Sequence, residues 1–185
     1  ALVATVSDIG QRIKLFSIPS RDALARLGGL PRSYVGMTLA HLGLAIVALG
    51  VIGAGAWRTE EVRLMKLGDV VTIAGFDAKL VSVTEEDGPN YVAEIARFAI
   101  AKKGAPIRDM TTERRFYPVR GMQTTEAGIW TTTSGDLYLT LGEQAEAGAW
   151  AVRAYYNPLV IWLWLGAGVL AIGGIVAGSE RANAL

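Results

Sequence analysis

Residues 33–57 read SYVGMTLAHLGLAIVALGVIGAGAW, 25 residues with no Asp, Glu, Lys or Arg, bounded by Arg32 and Arg58. About 20 apolar residues cover a hydrocarbon core of about 30 Å, so this run predicts a membrane-spanning helix. A second uncharged run, residues 154–179 (AYYNPLVIWLWLGAGVLAIGGIVAGS), lies between Arg153 and Glu180 and predicts another. Composition agrees, since 51% hydrophobic and 19% charged residues make the chain more apolar and less charged than an ordinary soluble domain.

His41 is the only histidine, and it falls inside the first run. At a rise of ~1.5 Å per residue it lies about 13 Å in from Arg32, close to the membrane midplane. An ionisable side chain at that depth is costly unless it faces protein, water or a cofactor. Two readings stay open at this point: a functional imidazole, or a neutral imidazole that hydrogen-bonds between helices.

Charge sets the expected orientation. Residues 10–32 hold Arg12, Lys14, Arg21, Arg26 and Arg32 against Asp22, and a Lys/Arg excess in a short loop marks the cytoplasmic side. The chain then exits near Trp57 and returns from Pro158, with residues 180–185 as a cytoplasmic tail. Trp57, Tyr155, Tyr156, Trp162 and Trp164 are expected at the outer interface, where amphipathic rings settle. Residues 1–9 are apolar without a basic start, and read as the end of a preceding helix in something larger than this chain. Gly166, Gly168, Gly173, Gly174 and Gly178 open the second span to close approach by further helices, for which a lone pair of helices has little use.

Between the spans, residues 58–153 hold 12 Lys or Arg and 14 Asp or Glu, as a module exposed to water would. Phe76, Ala78 and Leu80 alternate with Asp77, Lys79 and Val81, and Leu137, Leu139 and Leu141 alternate with Tyr138 and Thr140. That is the period of half-buried strands. Turn signals at Leu67-Gly68-Asp69, Asp87-Gly88-Pro89-Asn90, Lys103-Gly104-Ala105-Pro106 and Ser134-Gly135-Asp136 separate the runs. Residues 92–101 follow a hairpin-like turn and read as strand. The fold class expected is membrane α-helical plus all-β, with two full spans flanking a small antiparallel periplasmic barrel or sandwich.

Catalytic constellations are scarce. A Ser-His-acid triad would need His41, which is in the bilayer, beside Ser82 or Ser134, which are outside it. Glu85-Glu86-Asp87 reads as a solvated turn. Arg114-Arg115 with Phe116 and Tyr117 offers planar donor forks for a carboxylate, against the plainer reading of a salt-bridged strand with core aromatics. Walker and dinucleotide glycine motifs are absent, the basic residues form no block suited to nucleic acid, and there is no cysteine. One histidine without cysteine cannot supply the three or four ligands of a zinc site. Haem needs only one or two axial ligands, so His41 suffices for half a site. Thr38, Ala45 and Ala48 are small neighbours on its face, and Met37 lies one turn away on the same helix.

Leu30-Pro31-Arg32-Ser33-Tyr34-Val35-Gly36-Met37-Thr38-Leu39-Ala40-His41-Leu42-Gly43 resembles a late transmembrane helix of the CcmF family of haem lyases, which includes the NrfE proteins. The resemblance continues through Gly88-Pro89-Asn90-Tyr91, Glu113-Arg114-Arg115-Phe116-Tyr117, Thr125-Glu126-Ala127, Asp136-Leu137-Tyr138, Leu141-Gly142-Glu143, Trp150-Ala151-Val152-Arg153 and Tyr155-Tyr156-Asn157-Pro158. It implies the C-terminal portion of an inner-membrane protein of cytochrome c maturation. Such a protein takes haem from the chaperone CcmE and, with CcmH-type partners, helps attach it to apocytochrome c. It further implies that His41 is one axial ligand of a haem b whose second ligand lies outside this chain. The family's tryptophan-rich haem-binding segment, its flanking histidines and its other transmembrane histidine have no counterpart here, so ligation chemistry is expected elsewhere in the protein. The alternative is a membrane-tethered β-domain that serves assembly or interaction only, with His41 as a packing residue.

Overall fold

The computed structural model describes Ser7, Gln11, residues 29–145 and residues 148–179. From residue 29 onward the order is α1 (Arg32–Ala56), β1 (Thr59–Met65), β2 (Val70–Ile73), β3 (Phe76–Asp87), β4 (Val92–Lys102), β5 (Ala105–Tyr117), β6 (Met122–Glu126), β7 (Gly128–Thr131), β8 (Gly135–Gln144), β9 (Trp150–Pro158) and α2 (Val160–Ser179). Two compact units result: one holds α1 up to Ile52 together with α2, the other runs from Gly53 to Pro158. The expected preceding helix at 1–9, most of the basic loop 10–32 and the tail 180–185 lie outside the described residues.

Both helices are long and apolar enough to cross a membrane. α1 begins where Pro31, which has no N–H to lose, accepts the Val35 N–H at 3.1 Å. The helices meet along glycines spaced seven apart. A Cβ on Gly36 or Gly43 would run into the backbone of Ala177 or Leu170, and one on Gly50 would stand 2.7 Å from the Leu163 nitrogen. From the other side, a Cβ on Gly166 would lie 2.6 Å from the Val47 nitrogen, and one on Gly173 would meet Ala40. A seven-residue repeat keeps one stripe facing its partner, and the absence of side chains there lets the backbones touch. Gly168, Gly174 and Gly178 have open space around them. The expectation that the α2 glycines serve additional helices is therefore corrected for Gly166 and Gly173, which pack against α1 of the same chain.

In the second unit, β1 opens a four-stranded antiparallel sheet ordered β1-β9-β8-β7, and β2 to β6 form a five-stranded antiparallel meander. The inward faces merge into one core: Leu137, Leu139, Leu141, Val152 and Ala154 from the first sheet against Phe76, Ala78, Leu80, Phe98 and Ile100 from the second. This is a sandwich. The strand expected over 92–101 is β4, and Phe76, Ala78 and Leu80 are all buried. Two hairpins close through two-residue loops, Ala74-Gly75 and Lys103-Gly104, with positive φ at all four residues, which matches the twist of the flanking strands. Thr59 pairs with Tyr156, so the chain enters and leaves the sandwich at the same end.

The chain changes sheet between β6 and β7. Gly128 is buried there, and a Cβ on it would stand 2.5 Å from the Thr111 carbonyl oxygen. Buried Thr112 donates its hydroxyl to the Glu126 carbonyl at 2.7 Å, which fixes the crossing.

Three expectations need correction. The uncharged run 154–179 is not one helix: Ala154 to Pro158 finish β9, and α2 starts at Val160 after Leu159, which has φ 60. An uncharged strand end leading into an apolar helix leaves no charge to mark the boundary. Tyr155 and Tyr156 are accordingly strand residues: Tyr155 packs edge-on to Tyr138 at 5.7 Å, and Tyr156 packs on Phe76 at 6.0 Å and donates to the Ser134 hydroxyl at 2.9 Å. Glu85-Glu86-Asp87 is exposed as expected, but it is the end of β3 paired with Glu94, Ala93 and Val92, and the turn follows it.

Candidate functional site

His41 sits on α1 about 140° round from Gly36 at 3.6 residues per turn, so it faces away from the seam with α2. It is exposed, as are Met37 and Ala48 beside it. Its Nδ1 lies 2.8 Å from the Met37 carbonyl oxygen, one turn back along the helix. A carbonyl can only accept, so Nδ1 carries the proton and donates. In a neutral ring this bond would leave Nε2 as the unprotonated nitrogen, the one suited to a metal, with the tautomer set by the helix backbone. Met37 contributes its main chain to this arrangement.

His41 offers one imidazole, which would suit a group that brings its other donors with it. Among the described residues no group of three or more His, Asp or Glu is placed to hold an ion. A prosthetic group that brings its own equatorial donors needs one imidazole from this helix, a bare ring nitrogen and small neighbours. His41, Thr38, Ala45 and Ala48 supply these.

Arg114 and Arg115 lie on β5, and both are engaged. Arg114 Nε pairs with Glu94 at 2.6 Å, while Arg115 pairs with Glu113 at 2.8 Å and with Glu126 at 3.4 Å. Its hydrogen bond to Glu113 holds the Arg115 guanidinium above its ordinary value, against a smaller opposing effect of burial. Arg115 also stands over the Tyr91 ring at 4.7 Å, and Tyr91 packs on Tyr117 at 5.5 Å. The salt-bridged strand is the reading the geometry supports. The aromatics are not core, however: Phe116 is 42% exposed and Tyr117 is only half-buried.

A second arginine pair escaped the sequence reading. Arg58, just before β1, stands over the Tyr155 ring at 4.3 Å, and the neighbouring Tyr155 hydroxyl raises the Arg153 guanidinium of β9 above its ordinary value. Arg58 and Arg153 are far apart in sequence, and only the β1–β9 pairing brings them together.

Comparison with known proteins agrees with this architecture. Residues 56–158 match the family model described as the CcmF C-terminal beta-sandwich. The chain is 38% identical to the cytochrome c-type biogenesis protein CycK of Bradyrhizobium diazoefficiens over 97% of its own length and 27% of that protein's. It is 40% identical to CcmF of Haemophilus influenzae over 82% of its length and 24% of that protein's. The chain thus spans about a quarter of the length of these curated relatives. The solved structure of a cytochrome c haem lyase CcmF shares its fold, with a TM-score of 0.66 at 18% identity over 95% of this chain and 34% of that one. The chain belongs to the CcmF family of cytochrome c-type biogenesis proteins, as the part that carries the C-terminal β-sandwich.

Proposed function

We propose that this chain is the C-terminal part of a haem lyase of cytochrome c maturation, with His41 as one axial ligand of a haem b. What supports the reading is the His41 ring itself: an imidazole on a helix long and apolar enough to cross a membrane, turned away from the α1–α2 seam, with Nδ1–H held by the Met37 carbonyl at 2.8 Å. That bond orients the ring and leaves Nε2 free to donate to iron. The second axial ligand comes from the remainder of the protein. When bound, the haem supplies one-electron chemistry between ferric and ferrous iron. The chain's own share is to orient one ligand, exclude water with the apolar faces of α1, and hold the β-domain.

In the same reading α1 and α2 span the inner membrane, the sandwich is periplasmic and residues 10–32 and 180–185 are cytoplasmic. The Lys/Arg excess of the first loop supports that orientation. Haem reaches the protein from the chaperone CcmE, and CcmH-type subunits present the apocytochrome. The test is the absorption spectrum of the whole protein purified from membranes, with and without His41→Ala. The expected result is loss of b-type haem or of its low-spin signature in the variant. Unchanged haem content and spectrum would make His41 a packing residue and leave the β-domain to serve assembly alone.

A further inference from the structure

The inward face of the five-stranded sheet runs on past the core. Its last covered row is Val83, Ala96 and Thr112, paired across β3, β4 and β5, with Ala96 and Thr112 buried and Val83 packed against the core. Two residues further along each strand, and so on the same face, come Glu85, Glu94 and Arg114. The row after that is Asp87, Val92 and Phe116, with Gln123 of β6 paired to Phe116. A cleft of about 400 Å³ lies over these two rows, lined by Glu85, Val92, Glu94, Arg114, Phe116 and Gln123, all from the five-stranded sheet.

Charge on this ledge is uneven. Glu85 stands directly opposite Glu94, and like charges in a cross-strand pair repel. Arg114 bonds Glu94 through Nε at 2.6 Å, which is one cation for two carboxylates, and Asp87 adds a third on the same face. Among the described residues Glu85 and Asp87 form no ion pair. The other side chains of the last row, Val92 and Phe116, are apolar, and Phe116 is 42% exposed. The ledge thus lacks a positive charge beside Glu85 and an apolar cover over Val92 and Phe116. Those two places are one row apart, about 7 Å along the strands.

We propose that this ledge docks an extended segment of a partner protein that carries a basic and an apolar side chain two residues apart. Residues i and i+2 of an extended chain share a face at the same spacing of about 7 Å. A segment laid along the strands therefore brings its cation to Glu85, in the field of Asp87, while its apolar side chain covers Val92 and Phe116. The site is separate from His41 and does not depend on the haem reading.

The experiment uses the whole protein in nanodiscs of zwitterionic lipid, with a fluorescein-labelled peptide Gly-Gly-Arg-Gly-Leu-Gly-Gly read by anisotropy. The peptide binds, and its analogue with neutral citrulline in place of arginine binds at least about fivefold more weakly. Gly-Gly-Arg-Leu-Gly-Gly-Gly, which turns the two side chains to opposite faces, is weakened by a similar factor. Glu85→Gln with Asp87→Asn costs at least about fivefold, while Glu60→Gln, on the other sheet, stays within about twofold. Glu85→Lys with Asp87→Lys turns the preference to Gly-Gly-Glu-Gly-Leu-Gly-Gly, a gain that a misfolded protein cannot show. The proposal is overturned if the arginine peptide fails to bind, binds the Gln and Asn double variant as well, or tolerates the shifted leucine. Displacement by calcium as effective as displacement by unlabelled peptide would make this a metal-ion site and overturn it too.

Discussion

Gly43 and Gly166 stand backbone to backbone across the helix pair: a Cβ on Gly43 would lie 2.7 Å from the Gly166 carbonyl oxygen, and one on Gly166 would lie 2.8 Å from that of Gly43. The obstacle on each side is main chain, which has no rotamer to change. Gly43→Val therefore forces the helices apart and costs about 1–3 kcal/mol, the range for overpacking a close-packed contact. Gly168→Val, on the same helix pair with open space around it, changes stability by less than about 0.5 kcal/mol. Thermal unfolding of the whole protein in detergent checks both. Equal losses would show that glycine itself, rather than the seam, is what α2 requires.

The crossing between the two sheets depends on Thr112 in a way its size does not suggest. Thr112→Val keeps the shape and deletes the donor to the Glu126 carbonyl, at a cost of about 1–2 kcal/mol. Gly128→Ala places a methyl 2.5 Å from the Thr111 carbonyl and costs at least as much. The two residues guard one feature, so the double variant should lose less than the sum of the singles, a coupling that thermal or denaturant unfolding would read. Strict additivity would mean that the crossing is not a unit.

Much of the sandwich was legible because its signals are local. Alternation at Phe76-Ala78-Leu80 and Leu137-Leu139-Leu141 marked buried faces, and Gly-containing turns marked the ends. What was hidden is what only pairing creates. The seam needs Gly36, Gly43 and Gly50 to be matched to Gly166 and Gly173 across the intervening sandwich sequence. The Arg58–Tyr155–Arg153 cluster needs β1 beside β9. The misplaced start of the second helix has the same root: Ala154 to Pro158 are the uncharged end of β9, paired with β8, and hydropathy alone cannot tell an uncharged strand end from the start of an apolar helix. For His41, depth and isolation were visible in the sequence, while the hydrogen bond that sets its tautomer was not.

Ala74 is held at φ 49 in the first position of the Ala74-Gly75 hairpin loop. That conformation costs an ordinary residue about 1–2 kcal/mol, and Asn tolerates it better. Ala74→Asn should stabilise the protein by about 0.5–1 kcal/mol, seen as a raised Tm. A lowered Tm would mean that the Ala74 methyl makes contacts worth more than the backbone conformation costs.

Ion pairs on the five-stranded sheet divide by exposure. The side chains of Arg114 and Glu94 are 19% and 24% exposed, against 57% and 47% for Arg97 and Asp109. Arg114→Met leaves Glu94 unpaired in a half-buried position and should cost about 1–2 kcal/mol, whereas Arg97→Met should cost less than about 0.5 kcal/mol. Added salt should shrink the second effect and leave most of the first. Comparable costs for the two variants, measured by unfolding at low and high salt, would contradict this ranking.

The hydrogen bond from His41 to the Met37 carbonyl separates two residues that lie one turn apart and could both be taken for ligands. Because only the Met37 main chain is used, Met37→Leu should leave the spectrum of the haem-loaded protein unchanged. His41→Gly removes the imidazole without filling its place, so the low-spin b-type signature should fall. Imidazole added to that variant should enter the vacated position and restore the signature, since a free imidazole offers the same ring nitrogen. Restoration argues for ligation over packing, because a lost packing contact would not be repaired as a change in iron coordination. If Met37→Leu alters the spectrum while His41→Gly with or without imidazole does not, the axial assignment moves off His41, and the 2.8 Å bond is left as a device for satisfying a lone imidazole in an apolar helix.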